Sequence, residues 1–222
     1  VKLFNEEFND IYRQLLKMGN LAKEQMTDLP DVLFKQDQNT IHSLIKGDLA
    51  VDHLDQDIHQ RVLELIVFQP PMPSELQQLS AIMRVAREIE RIGDQIVNIA
   101  EVGETFRKNG VLEIGGEIEK TIKEMNEKSE TMFNQALIML GERDYGQGET
   151  IEEQDEVVDH LFQRIQALIQ EEMKLNVQRI PQLSPLFFVI RYYERLADHV
   201  VNIVTKMKES QEEGAGYGLV DD

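Results

Sequence analysis

The sequence predicts an all-α protein of two tandem antiparallel three-helix bundles related by internal duplication. Three observations carry this reading: apolar residues recur at spacings of three and four along successive segments, no strand pattern competes with them, and the most informative stretch occurs twice. Glu90-Arg91-Ile92-Gly93-Asp94-Gln95-Ile96-Val97-Asn98-Ile99 matches Glu194-Arg195-Leu196-Ala197-Asp198-His199-Val200-Val201-Asn202-Ile203 at six of ten positions, 104 residues apart. Asp48-Leu49-Ala50-Val51-Asp52-His53-Leu54 recurs as Asp155-Glu156-Val157-Val158-Asp159-His160-Leu161 at an offset of 107. The difference between the offsets falls on Gln69-Pro70-Pro71-Met72-Pro73, turn material of the kind that loops absorb at small cost.

The first helix carries the stripe Phe4, Phe8, Ile11, Leu15, Met18 and Ala22 and should stop near Leu29-Pro30. A second runs from about Asp31 to Phe68, with Leu44, Val51, Ile58, Val62 and Leu65 inward, until the proline cluster ends it. Ser74 and Gln77 form a capping-box pattern for the third, whose stripe is Ile82, Val85, Ile89, Ile92, Ile96 and Ile99. A fourth helix spans about Glu117 to Glu142, followed by a break at Asp144-Tyr145-Gly146-Gln147-Gly148. Thr150 and Glu153 offer a capping box for the fifth, which reaches about Leu175; Pro181 marks the next turn. Ser184-Pro185 is the expected start of the sixth, with Val189, Tyr193, Leu196, Val200, Ile203 and Met207 inward. The expected organisation is a first repeat over 1–108, a second over 112–210, joined around Lys108-Asn109-Gly110, and a disordered tail over 211–222.

The composition narrows the function classes. With no cysteine, disulfides, thiolate zinc sites and cysteine nucleophiles are excluded, which fits a reducing compartment. No stretch approaches the length of a membrane span and Val1-Lys2-Leu3-Phe4-Asn5 is no signal-peptide core, so a soluble, cytoplasmic protein is expected. A net charge of −18, from 41 acidic and 23 basic residues, disfavours phosphate backbones and anionic lipid as partners. It favours cations or basic protein surfaces, with plain solubility as the alternative.

The acidic pairs Asp48/Asp52, Glu90/Asp94, Asp155/Asp159 and Glu194/Asp198 are each spaced four apart. On a helix such residues stack on one face, where like charges repel by roughly 0.2 to 0.5 kcal/mol. A hard cation held by carboxylate oxygens would offset that repulsion; a solvated or partner-docking face is the other reading. Asp48 with Asp94 and Asp52 with Glu90 share a midpoint at Pro71, so an antiparallel hairpin sets the two pairs level. Asp155 with Asp198 and Asp159 with Glu194 share one between Asn176 and Val177, a looser fit to a turn at Pro181. At about 100° per residue, Glu90 and Asp94 project away from their apolar stripe, which makes the site superficial.

Asn98 and Asn202 extend the acidic rows, either as oxygen ligands or as interhelical hydrogen-bonders, and Arg91 and Arg195 read as salt-bridge formers. His53, His160 and His199 each follow an aspartate but point elsewhere on the helix, so they read as surface or boundary residues; His59, four after Asp55, is the more attractive histidine. No Glu-x-x-His di-iron element, His-Glu-x-x-His, phosphate-cradling glycine loop or serine elbow is present. The chain is therefore not expected to be an enzyme and has no expected catalytic residue.

The two Glu-Arg-x-x-Asp segments with their upstream Asp-x-x-Val-Asp partners resemble the PhoU family of phosphate-uptake regulators, over roughly Phe4 to Lys208. That resemblance implies multinuclear iron or zinc clusters held by Asp48, Asp52, Glu90, Asp94, Asp155, Asp159, Glu194 and Asp198. It implies a negative regulator of phosphate uptake, acting between a phosphate-specific ABC transporter and its associated sensor histidine kinase, and a homodimer near the membrane only through those partners. The alternative is a metal-dependent hydrolase or metal-storage protein.

Overall fold

A computed structural model describes the backbone of residues 2–110 and 113–216 and the side chains of 3–110 and 113–213. Helix α1 (Lys2–Thr27) buries its whole expected stripe. A short α2 (Leu29–Phe34), with Pro30 in its first turn, precedes α3 (Gln38–Phe68), α4 (Pro73–Asn109), α5 (Gly116–Glu142) and α6 (Glu149–Leu175). A 3-10 turn (Val177–Arg179) and the short α7 (Ile180–Leu183) lead into α8 (Leu186–Gly216). The described residues contain no strand.

Several expected boundaries move. The continuous helix from Asp31 to Phe68 is interrupted, because Gln36 takes a left-handed φ of 54° and Asp37 accepts the Thr40 amide at 2.8 Å, starting α3 afresh. Helix α4 begins at Pro73 rather than behind Ser74: Glu75 reaches back to accept the Met72 amide at 2.8 Å, and the Ser74/Gln77 box does not form. The Thr150/Glu153 box is also absent, since Thr150 Oγ1 donates to Gln147 O and α6 starts at Glu149. Ser184 likewise donates backward, to Ile180 O, closing α7 instead of capping α8. Helix α8 extends to Gly216, so the first part of the expected disordered tail is helical, and 217–222 lie outside the described residues.

Helices α1, α3 and α4 form one bundle and α5, α6 and α8 the other, with α2 laid against α4 and α5. The two share one apolar core. They meet along two seams. Helix α1 packs antiparallel to α5, where Tyr12 Oη donates to Leu140 O at 2.7 Å and Lys23 Nζ to Asn134 Oδ1 at 3.0 Å. Helices α4 and α8 make the most extensive contact in the molecule and are also antiparallel: Gln78 and Ile82 lie near Met207 and Ser210, while Glu88 meets His199.

Close approach decides some of this packing. A Cβ on Gly103 of α4 would stand 2.7 Å from Val32 O and 2.6 Å from Val32 Cγ1, and backbone cannot swing aside as a side-chain tip can. Gly103→Ala is therefore expected to destabilise the protein by about 1–3 kcal/mol, read as a lower denaturation midpoint in urea. An unchanged midpoint would show that α2 shifts freely.

Candidate functional site

The α3–α4 hairpin brings the first acidic set together. Asp48 and Asp52 face Glu90 and Asp94 closely enough that the Asp48 carboxyl is pushed up to about 7, by burial first and then by repulsion from Asp52, Asp94 and Glu90. Burial and Asp94 also raise Glu90, and burial and Asp52 raise Asp94. The second hairpin repeats the arrangement. Asp155 is pushed up to about 6 by burial and by Asp159, Asp198, Glu194 and Glu156, and Asp198 is raised by burial and Asp159. Each set of four thus shares one electrostatic neighbourhood, and the looser midpoint near Asn176 does not keep α6 and α8 from aligning theirs.

The donors are all oxygen. Asp48 Oδ1 is buried and accepts no hydrogen bond among the described residues, an orphaned anionic acceptor of the kind a cation would satisfy. Gly93 makes room for it: a Cβ there would stand 2.6 Å from Asp48 Oδ1. Among the described residues no three His, Cys, Asp or Glu side chains already enclose a point that could hold an ion. Ligation would therefore need these mostly half-buried carboxylates to turn inward.

The two sites are not copies. Beside the first lies Asp55, only 2% exposed, with Arg87 Nη2 at 3.1 Å and His59 Nδ1 at 3.3 Å. Its counterpart in the repeat, at the 107 offset, is Phe162, and Gly93 corresponds to Ala197. Arg87 also approaches Glu90 at 3.5 Å, and Arg191 pairs with Glu194 at the equivalent place. Arg91 pairs with Glu88 at 3.8 Å, but among the described residues Arg195 forms no ion pair, so of the two expected salt-bridge formers only Arg91 is one. His53 and His160 are exposed.

Between the sites, Glu88 is 4% exposed on the α4–α8 seam. His199 Nδ1 lies 2.8 Å from its Oε2, Asn202 donates to it at 3.2 Å, and Lys206 Nζ is 3.3 Å from its Oε1. Burial alone would raise this carboxyl, but the bonds from His199 and Asn202 and the charge of Lys206 bring it down to about 2. Asn202 is thus an interhelical hydrogen-bonder. His199 also acts electrostatically on both Asp94 and Asp198, so it stands between the two acidic sets. Sequence reasoning missed Glu88 and Arg87 and named Asp55 only as the neighbour of His59: each is a single charge outside the duplicated motif, and for the two carboxylates an acid interrupting an apolar face was the only signal.

Fold and site together define a duplicated helical protein that presents two carboxylate clusters on paired hairpins. The PhoU domain model matches residues 15–103 and 122–207, and the chain belongs to the PhoU family. It is 30% identical over 203 residues to the phosphate-specific transport system accessory protein PhoU homolog of Clostridium acetobutylicum, covering 91% of each chain. It is 28% identical to the Synechocystis protein of the same name, over 92% of this chain and 89% of that one. The crystal structure of PhoU from Pseudomonas aeruginosa superposes with a TM-score of 0.87 at 20% identity, covering 95% of this chain and 99% of that chain. The phosphate transport system regulatory protein PhoU from Streptococcus pneumoniae gives 0.81 at 22%, with 95% and 97% covered.

Proposed function

We propose that this chain is a regulatory accessory protein of phosphate-specific transport, not an enzyme, whose two acidic sites bind metal cations. The accessory role rests on family membership and on the names of relatives that match nearly the whole chain. The observation that carries metal binding is the duplicated carboxylate set with the unpartnered Asp48 Oδ1 at its centre. Asp48, Asp52, Glu90 and Asp94 would hold one group of ions, and Asp155, Asp159, Glu194 and Asp198 the other. Iron or zinc is the proposed metal, and its part is to neutralise and rigidify the two hairpins.

The regulated partners are, in this reading, the subunits of a phosphate ABC transporter and its sensor histidine kinase, with the protein dimeric and cytoplasmic. No described helix is long and apolar enough to cross a membrane, so membrane proximity would come through those partners. Elemental analysis of protein purified without chelator tests the metal. The natural protein is expected to retain iron or zinc, and the variant combining Glu90→Ala, Asp94→Ala, Glu194→Ala and Asp198→Ala to retain less than a tenth as much. Equal metal in both would overturn ligation. Size-exclusion chromatography with light scattering tests the dimer, and affinity capture of transporter and kinase subunits tests the adaptor role.

A further inference from the structure

At the end of the molecule where α1 and α4 begin and α5 and α8 run out, a cavity of about 230 Å³ opens between the two bundles. Phe8, Gln78 and Arg143 also line an adjoining surface hollow of about 390 Å³, so the two lie side by side as the inner and outer parts of one cleft. None of the eight acidic-set residues lines it. Its wall is aromatic, from Phe8, Tyr12 and Tyr145, and Arg143 lies over that wall, 4.2 Å from the Tyr12 ring centroid and 5.5 Å from that of Phe8.

Three features distinguish the cleft from a packing gap. Arg143 is a non-glycine residue at φ 55°, where a helix end favours glycine, so the backbone conformation is strained while a guanidinium is delivered to this spot. It donates to Asn9 Oδ1 at 2.9 Å and also interacts with the Tyr12 hydroxyl, which leaves others of its five N–H groups for a ligand. Ser210, 2% exposed, lines the cavity, and its Oγ has no hydrogen-bond partner among the described residues. The hydroxyls of Tyr12 and Tyr145, by contrast, are consumed. Tyr12 gives its proton to Leu140 O, so at 3.0 Å Tyr145 donates to Tyr12, and neither competes for a ligand.

The charge balance here differs from that of the chain, with one cation, Arg143, against one carboxylate, Glu75, among the described lining residues. Against a net charge of −18, the charged group acting on both tyrosines is Arg143. Among the described residues the one carboxylate lining the hollow, Glu75, is engaged with the Met72 amide. We infer that this cleft binds a small organic anion, a phosphate or carboxylate group joined to a flat ring. The ring would lie against the aromatic wall, and the anionic group would take donors from Arg143 and Ser210, in keeping with an apolar pocket bearing a few convergent polar groups and with the guanidinium's fit to oxyanions.

Calorimetric titration of the full chain in EDTA, with phenyl phosphate and benzoate as probes, tests this. At least one of them is expected to bind saturably at one site per chain, ten times more tightly than inorganic phosphate or phenol. The phosphate and phenol arms separate anion capture alone and ring stacking alone from the combined site. Arg143→Asn keeps a residue that tolerates the left-handed backbone and should weaken the preferred probe at least tenfold. Ser210→Ala should weaken it about threefold without lowering the melting temperature, because it removes a hydroxyl that nothing among the described residues satisfies. The acidic-site variant should bind it unchanged, so this site and the metal reading fail separately. Absence of saturable binding by either probe, or unaltered affinity in folded Ser210→Ala and Arg143→Asn proteins, would overturn the inference. Should Arg143→Asn not fold, Ser210→Ala decides.

Discussion

Asp48→Asn is expected to raise the melting temperature of the metal-free protein at pH 8 by about 3–6 °C. The Asp48 carboxyl is pushed from 3.8 to about 7 by burial and by three carboxylates, so its ionised form opposes folding. Each tenfold change in proton affinity corresponds to about 1.4 kcal/mol; the half-exposed site is screened, which reduces the full conversion to about 1–2 kcal/mol. Because the folded carboxyl holds its proton more tightly than the unfolded one, the pH dependence has a fixed sign. Below the unfolded value the group is protonated in both states, and the stability it gives there is lost as pH rises through the folded value. The gap between variant and natural protein should thus vanish near pH 4 and be complete above pH 7. A cation at a hundred times its dissociation constant would stabilise the natural protein by about 2.7 kcal/mol, and Asp48→Asn should remove much of that gain. Equal melting of the two metal-free proteins at pH 8 would show that the acidic set is relaxed by solvent.

Glu88→Ala should do the reverse, lowering stability by about 2–4 kcal/mol, because removing one partner of a buried ion pair leaves the other charge without compensation. In a chain of this size that corresponds to roughly 5–12 °C in melting temperature. Here the folded carboxyl is held down to about 2, below its ordinary 4.5. The contribution is present above the ordinary value and is lost as pH falls through the folded one. Melting curves of the two proteins should therefore converge between pH 4.5 and 2. A constant difference over that range would mean that the loss comes from packing alone.

The sequence made the helices and the acidic sets legible because both rest on short-range periodicity. The Ile82 to Ile99 stripe and the four-residue acidic spacing survive any rearrangement that keeps the helices intact. What escaped depends on single local contests or on the packing of distant segments. Asp37 capturing the Thr40 amide outweighs the helical pattern on either side of it, and Glu75 outcompetes Ser74 for the start of α4. Nothing along α4 alone reveals that Glu88 will be met by a lysine and a histidine more than a hundred residues further on. The cleft at Arg143 is hidden for the same reason, since its walls come from both bundles.

The antiparallel seam of α4 against α8 sets equivalent stretches of the two repeats around a local two-fold axis. A half-length ancestor could have closed this same seam by pairing with itself, since an isologous contact reuses one patch twice. Fusion into a single polypeptide released each half from being self-complementary. Where Glu88 meets His199, the positions related by the duplication hold Tyr192 and Gln95; a symmetric dimer of identical halves would carry the same pair at both places, so this difference exists only because the halves are joined in one chain. Tandem inheritance thus allowed one half to become the lock and the other the key, and left each cluster free to diverge, as Phe162 and Ala197 in place of Asp55 and Gly93 illustrate.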